Sequence, residues 1–302
     1  MWAKRKKERS GRPYLLFWRL AFRRCDTEMK KVDRLRTLLI GDFEGAEFAS
    51  IEESLSASCQ AKRAQNIAIA ISQLGAGNLP FDAIVLAWPH PGAFSAWEIH
   101  RLRKAAPLAR QLAVLGSWCE GEGRNGEFVP GLIRTVWHQW IASWAAEFQS
   151  RDFKRLPTWC LPETTGDEER LLARSAPKWP SRSGLVAIAT RDADTAELYA
   201  AVCQRRGFST VWLPSREYLL RVGPTQAIVW DGDVSRLEEL GAIRANTSAK
   251  ILALIDFPRA DDVRRATNAG ATAVLGRPMA WDCLFWHLEQ LDNPQTTKQR
   301  VA

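Results

Sequence analysis

The stretch LVAIATRDADTAELYAAVCQRRG, Leu185 to Gly207, decides how the chain is read. It opens on the apolar run Leu185–Ala189, the pattern of a parallel strand buried on both faces. From Asp194 to Arg206 the period changes. Leu198, Ala201 and Val202 recur at helical spacing, and Gly207 follows where a helix C-cap needs a residue tolerant of left-handed backbone. The stretch therefore reads as a strand followed by a helix.

The same alternation continues downstream. Thr210–Leu213 and Gln226–Trp230 read as strands, the second ending at Asp231, and a helix over Val234–Ala242 leads to the strand Lys250–Ile255. A helix over Ala260–Ala269 is stopped by Gly270, Thr272–Leu275 is a fifth strand, and the closing helix Trp281–Leu291 places Trp281, Leu284, Phe285, Leu288 and Leu291 on one stripe. Strands alternating with helices at short connections imply right-handed crossovers and helices on both faces of a parallel sheet. The expected class is α/β, with a doubly wound five-stranded parallel sheet.

Upstream the pattern recurs more loosely. Thr37–Ile40 ends at Gly41 and Asp42, Asp82–Leu86 ends at Ala87, and Gln111–Leu115 ends at Gly116 and Ser117. Helices are expected over Ala64–Leu74 and Ala96–Lys104. From Trp118 to Gly126 an irregular, glycine-rich segment stands where a fourth helix would come. The stretch carrying Ile133, Val136, Trp137, Trp140, Ile141, Trp144 and Phe148 is one amphipathic helix or a short strand, Ile133–Trp137, leading into one. The second reading restores a fifth strand. Most of the fourteen tryptophans, including the Trp137, Trp140 and Trp144 stripe, are expected to serve packing and not partner binding.

With 302 residues, 46% of them hydrophobic and 25% charged, the chain is long enough for two packed domains. The expected organisation is a leader over 1–34, a domain over 35–150, a linker rich in Pro, Arg, Ser and Thr over 151–182, a domain over 183–292 and a tail over 293–302. The net charge is +8, of which residues 1–28 carry +6, leaving +2 for the rest. The folded domains are therefore not expected to bind nucleic acid. The apolar run Tyr14–Trp18 is broken by Arg19 and closed by Arg23 and Arg24, too short to span a bilayer and without a cleavage site. Met29, before Lys30 and Lys31, would serve as a translation start. The leader is thus an over-extension of the reading frame or a basic amphipathic segment for a membrane surface or nucleic acid. Six scattered cysteines suggest neither a disulfide framework nor a zinc site, and the cytoplasm is the default compartment.

On these residues each half resembles, over about 110 residues, the CheY-like, flavodoxin-like receiver domain of two-component response regulators. The resemblance implies an acidic pair after the first strand that binds Mg²⁺, a phospho-accepting Asp after the third, a Ser or Thr after the fourth and a Lys before Pro after the fifth. Such chemistry needs a metal to hold charge, an in-line nucleophile, and a cation and hydroxyl to read the product. In the second half Asp231 falls at the acceptor position, Ile255 at the hydroxyl position and Arg277–Pro278 at the Lys–Pro position, 22 residues after Ile255. Thr190 and Arg191 replace the acidic pair, with Asp192 one residue later. Ile255 has no hydroxyl, and Arg277, joined by Arg191, is expected to pair with Asp231. In the first half Ala87 takes the acceptor position, about 45 residues after Asp42, Ser117 follows 30 residues later, and Gln139 or His138 replaces the Lys.

The expected function is a non-catalytic signalling or scaffold protein with tandem pseudo-receiver domains related to phosphorelay signal transduction. It would bind protein partners without a phosphorylation switch, with no catalytic residue, cofactor or resident metal, and with a homodimer as one arrangement. A DNA-binding helix-turn-helix is not expected within residues 293–302. The rival is an enzyme or small-ligand-binding protein using the carboxyl-edge crevice of the first domain. Asp42, Ala87, His90, Ser117, Cys119 and Glu120 would line it, with Glu122 nearby. Against it, Trp88–Gly92 has the composition of a loop and Glu120–Gly123 is too short for a phosphate or metal loop.

Overall fold

In the computed structural model the described residues are 34–75, 80–121, 129–149, 157–175, 182–219 and 224–289. The first half runs β1 (Arg36–Ile40), α1 (Ala49–Ser58), β2 (Gln60–Ala64), α2 (Ile67–Gly75), β3 (Ala83–Trp88), α3 (Ala96–Ala105), β4 (Arg110–Leu115) and β5 (Leu132–Val136). A short α4 (Ala146–Gln149) and α5 (Asp167–Ser175) precede the second half. That half runs β6 (Leu185–Ala189), α6 (Ala193–Gln204), β7 (Ser209–Leu213), α7 (Arg216–Leu219), β8 (Ala227–Asp231), α8 (Leu237–Asn246), β9 (Lys250–Asp256), α9 (Ala260–Asn268), β10 (Ala273–Arg277) and α10 (Trp281–Glu289).

The strands form two five-stranded sheets, ordered β2-β1-β3-β4-β5 and β7-β6-β8-β9-β10, with every pairing parallel. Each order is the flavodoxin-like doubly wound one. Alternation along the strands builds both cores. Leu38, Ile40, Ile84 and Leu86 face α2 and α3, while Leu39, Val85 and Ala87 face α1 and the chain after β5. In the second sheet Val186, Ile188 and Val229 face α6 and α10, and Ala187, Ile228 and Trp230 face α8 and α9.

Several boundaries differ from expectation. The edge strand β2 (Gln-Ala-Lys-Arg-Ala) was not anticipated; exposed at three of five positions, it lacks the apolar run of a buried strand. Because Ala64 ends that strand, α2 begins at Ile67, where Asn66 Oδ1 accepts the Ile69 N–H at 2.9 Å, a capping bond. The helix expected from Val234 is a 3₁₀ turn over Val234–Arg236 before α8. Gly207 has φ +89, as its capping position requires.

After β4, described residues form only the 3₁₀ turn Ser117–Cys119; residues 122–128, including Glu122, lie outside the described set. β5 then leads through a 3₁₀ turn (Trp137–Gln139) and a π turn (Ile141–Ala145) into α4, so the strand-first reading describes this segment. Trp137, Trp140, Trp144 and Phe148 are buried core residues. Within the expected linker, residues 157–175 pack onto this core: Trp159 stacks on Phe148 with centroids 5.2 Å apart. Thr158 Oγ1 donates to Glu147 Oε1 at 2.7 Å, and Arg170 Nη1 donates to the Thr158 carbonyl at 2.7 Å. Polar composition hid this structure, because the side chains that suggest a linker make the hydrogen bonds that anchor the segment. The two halves also touch: Ala142 belongs to the second half's core, and Ala260 and Val263 pack against the first half's.

Candidate functional site

Parallel register brings the ends of β6, β8, β9 and β10 to one carboxyl edge, with Arg277 opposite Asp256. Asp231 and Arg277 meet there. Thr190 Oγ1 donates to Asp231 Oδ2 at 2.6 Å, and Arg277 Nη1 pairs with Asp231 Oδ1. Both oxygens of the carboxylate therefore carry a donor, and the Asp231 side chain is only 13% exposed. Arg277 also places Nε 2.8 Å from Asp256 Oδ1, and its charge acts on the nearby Tyr199 hydroxyl. Burial pulls the Arg277 pKa down, but Asp231, Asp256 and Tyr199 outweigh it and hold the guanidinium charged. Burial raises the Tyr199 pKa against the opposing pull of Arg277.

The remaining sequence candidates of this half point elsewhere. Arg191, expected on Asp231, pairs with Glu239 at 2.7 Å, because its 67% exposed side chain reaches α8. Asp192 Oδ1 accepts the Thr195 N–H at 2.7 Å as the N-cap of α6. Ile255 is a core residue. The Trp212 indole donates to the Thr190 carbonyl at 2.9 Å, fixing the loop that aims the threonine hydroxyl. Beside this loop lies a cleft of about 490 Å³ lined in part by Thr190, Arg191, Ser215, Trp230, Arg236 and Glu239. Glu239 accepts from Arg191, from Arg236 and from the Trp230 indole. Burial raises its pKa, but hydrogen bonds and charge from Arg236, with Trp230 and Arg191, bring the net shift below the usual value. Tyr199, Arg236 and Glu239 were missed in the sequence, since each arrives from a different helix or turn.

The residues present do not fit Mg²⁺ at Asp231. The loop after β6 supplies a hydroxyl and a cation, its carboxylate caps a helix, and a guanidinium sits on the acceptor oxygen. Among the described residues no group of three or more His, Cys, Asp or Glu side chains is placed to hold a metal.

In the first half the expected crevice residues do not converge. Asp42 Oδ1 accepts the Glu44 N–H at 2.8 Å in a local turn, and His90 lies on an exposed loop with Nδ1 3.0 Å from the Pro91 carbonyl. Ala87 and Cys119 are in the core, the thiol donating to the Trp88 carbonyl at 3.5 Å. Ser117 presents its backbone N–H to Glu47 Oε2 at 3.0 Å, a carboxylate arriving from the loop before α1. Glu120 pairs with His138, Nε2 to Oε1 3.2 Å, so His138 and not Gln139 makes the buried polar contact at the Lys position.

No family model matches the chain, and no curated protein does. Among solved structures, a response regulator from Thermotoga maritima is 18% identical and aligns over 36% of this chain and 98% of its own, with a TM-score of 0.33. The receiver domain of the Francisella response regulator 1452 is 19% identical over 36% of this chain and 95% of its own, with a TM-score of 0.32. The Vibrio cholerae chemotaxis protein CheY4 is 16% identical over 36% and 99%, with a TM-score of 0.33. These similarities concern fold alone; the two flavodoxin-like sheets rest on the strand order and register described above.

Proposed function

We propose that the protein is a non-catalytic signalling or scaffold protein of the phosphorelay type, whose two receiver-like domains bind protein partners without a phosphorylation switch. The domains span about residues 35–150 and 183–292. The observation that carries this reading is the closed Asp231 carboxylate, with Thr190 on one oxygen and Arg277 on the other. A working acceptor needs a carboxylate lone pair in line with the donor and a metal to neutralise the transferring group. Asp231 offers its oxygens to two internal donors instead. In the first half Ala87 has no nucleophile at all.

On this reading the folded domains act as rigid surfaces in the cytoplasm. No helix among the described residues is long and apolar enough to cross a membrane. The test is a Mg²⁺ titration followed by tryptophan fluorescence, since Trp212 and Trp230 lie beside the site. No saturable change at millimolar Mg²⁺ is expected. A saturable change abolished by Asp231→Asn would contradict the reading.

A further inference from the structure

Arg277 is bracketed by the other half of the molecule. On its N-terminal side, Gly276 packs against the His138 imidazole so closely that a Cβ there would come within 2.3 Å of Cε1. On its C-terminal side, the Pro278 carbonyl accepts Gln139 Nε2 at 2.9 Å. His138 and Gln139 are consecutive residues of the turn after β5, so one short segment of the first half grips β10 on both sides of the guanidinium-bearing residue.

The grip is itself held. The His138 side chain is 3% exposed and its Glu120 partner 8%, so two elements of the first half, the turns after β4 and β5, fix the ring over Gly276. A partly stripped imidazole–carboxylate pair keeps its geometry because either group alone would lose its buried partner. Further along the junction Ser143 Oγ meets Cys283 Sγ at 3.2 Å, which ties α10 but touches neither neighbour of Arg277. Arg259 stacks on the exposed Trp118 ring at 4.8 Å.

We propose that the first half is a built-in partner of the second and that His138 and Gln139 are positioning residues for Arg277, so that closure of Asp231 depends on docking between the halves. The inference rests on reading Asp231 and Arg277 as one closed site. Undocking the turn after β5 frees the backbone on both sides of Arg277 and releases its guanidinium from Asp231. The regulated property is then access to Asp231, and the regulator is the first half.

The full-length chain tests this through the Arg277 Nη1–H resonance, which reports the bond to Asp231 and is assigned by its loss in Arg277→Lys. In Gln139→Ala, and more so with His138→Ala added, its solvent exchange should quicken by about tenfold, the equilibrium equivalent of one lost hydrogen bond. His138→Gln, which retains a donor toward Glu120, should recover part of the protection. Ser143→Ala, at the same junction but away from Arg277, should leave the exchange unchanged. If the double variant unfolds, Gln139→Ala alone decides. Unchanged exchange in Gln139→Ala, or equal acceleration in Ser143→Ala, overturns the proposal. Saturable, Asp231-dependent Mg²⁺ binding by the unaltered chain would instead overturn the closed-site reading, so the two failures are distinguishable.

Discussion

Thr190 and Asp231 are joined by a 2.6 Å hydrogen bond that spans two neighbouring parallel strands, from the loop after β6 to the last residue of β8. A hydroxyl thus stands where the resemblance calls for a carboxylate, and it donates directly to Asp231. Thr190→Val keeps the shape and removes the donor, leaving a mostly buried carboxylate oxygen unpaired. The expected loss is about 1–2 kcal/mol in urea denaturation, with most of it restored in Thr190→Ser. No loss in Thr190→Val would show that the bond contributes nothing.

Glu47 and Gly116 form a second dependent pair. Glu47→Ala removes the acceptor of the Ser117 N–H and should cost about 1 kcal/mol. A Cβ on Gly116 would sit 2.6 Å from Glu47 Oε2 and 3.0 Å from the Pro89 carbonyl. Gly116→Ala should therefore cost less in the Glu47→Ala background than alone, with a residual cost from Pro89. Strictly additive denaturation midpoints would argue against the contact.

Much of the fold was legible because the central strands are apolar on both faces. Leu185–Ala189 and Ala83–Leu86 are short apolar runs bounded by turn residues, the pattern of strands inside a covered sheet. The edge strand Gln60–Ala64 was not legible, since it owes its conformation to pairing with β1 and carries two charges. The positions of Asp231, Arg277 and Thr190 followed from strand ends. The partner of Arg191 did not: a long exposed side chain chooses among neighbours that only tertiary structure supplies, and it chose Glu239 on α8. Glu47 escaped notice for the same reason, arriving at Ser117 from 70 residues away.

His287 gives the protein an acid-sensitive element in α10. Burial, with a smaller contribution from Lys250, lowers its pKa from 6.5 to about 4. The unfolded chain therefore binds this proton more readily than the folded one. The neutral ring's contribution is fully present above about pH 6.5 and is lost as the pH falls toward 4. Part of the residue's surface reaches solvent, so the expected loss is about 1–2 kcal/mol and not the full amount implied by the shift. Denaturation midpoints measured across this range should fall less steeply in His287→Gln, and parallel curves would exclude the assignment.

Cys203 and Cys160 should be chemically inert in the folded chain. Burial pushes both thiols up to about 12, which leaves almost no thiolate near neutral pH. Alkylation with iodoacetamide at about pH 8, followed by peptide mass analysis, should leave both unmodified until urea is added. Rapid labelling of Cys203 in the native chain would mean that α6 opens readily.

The central claim is that Asp231 accepts no phosphoryl group. Metal-ion stabilisation of a developing phosphoryl charge is worth several kcal/mol, and here Thr190 and Arg191 stand where the resemblance calls for an acidic pair, while Arg277 pairs with Asp231. The direct measurement is intact mass after incubation of the full-length protein with acetyl phosphate and Mg²⁺. The account predicts an unmodified mass in both the unaltered chain and Asp231→Asn. A stoichiometric phosphoryl adduct that disappears in Asp231→Asn would contradict it.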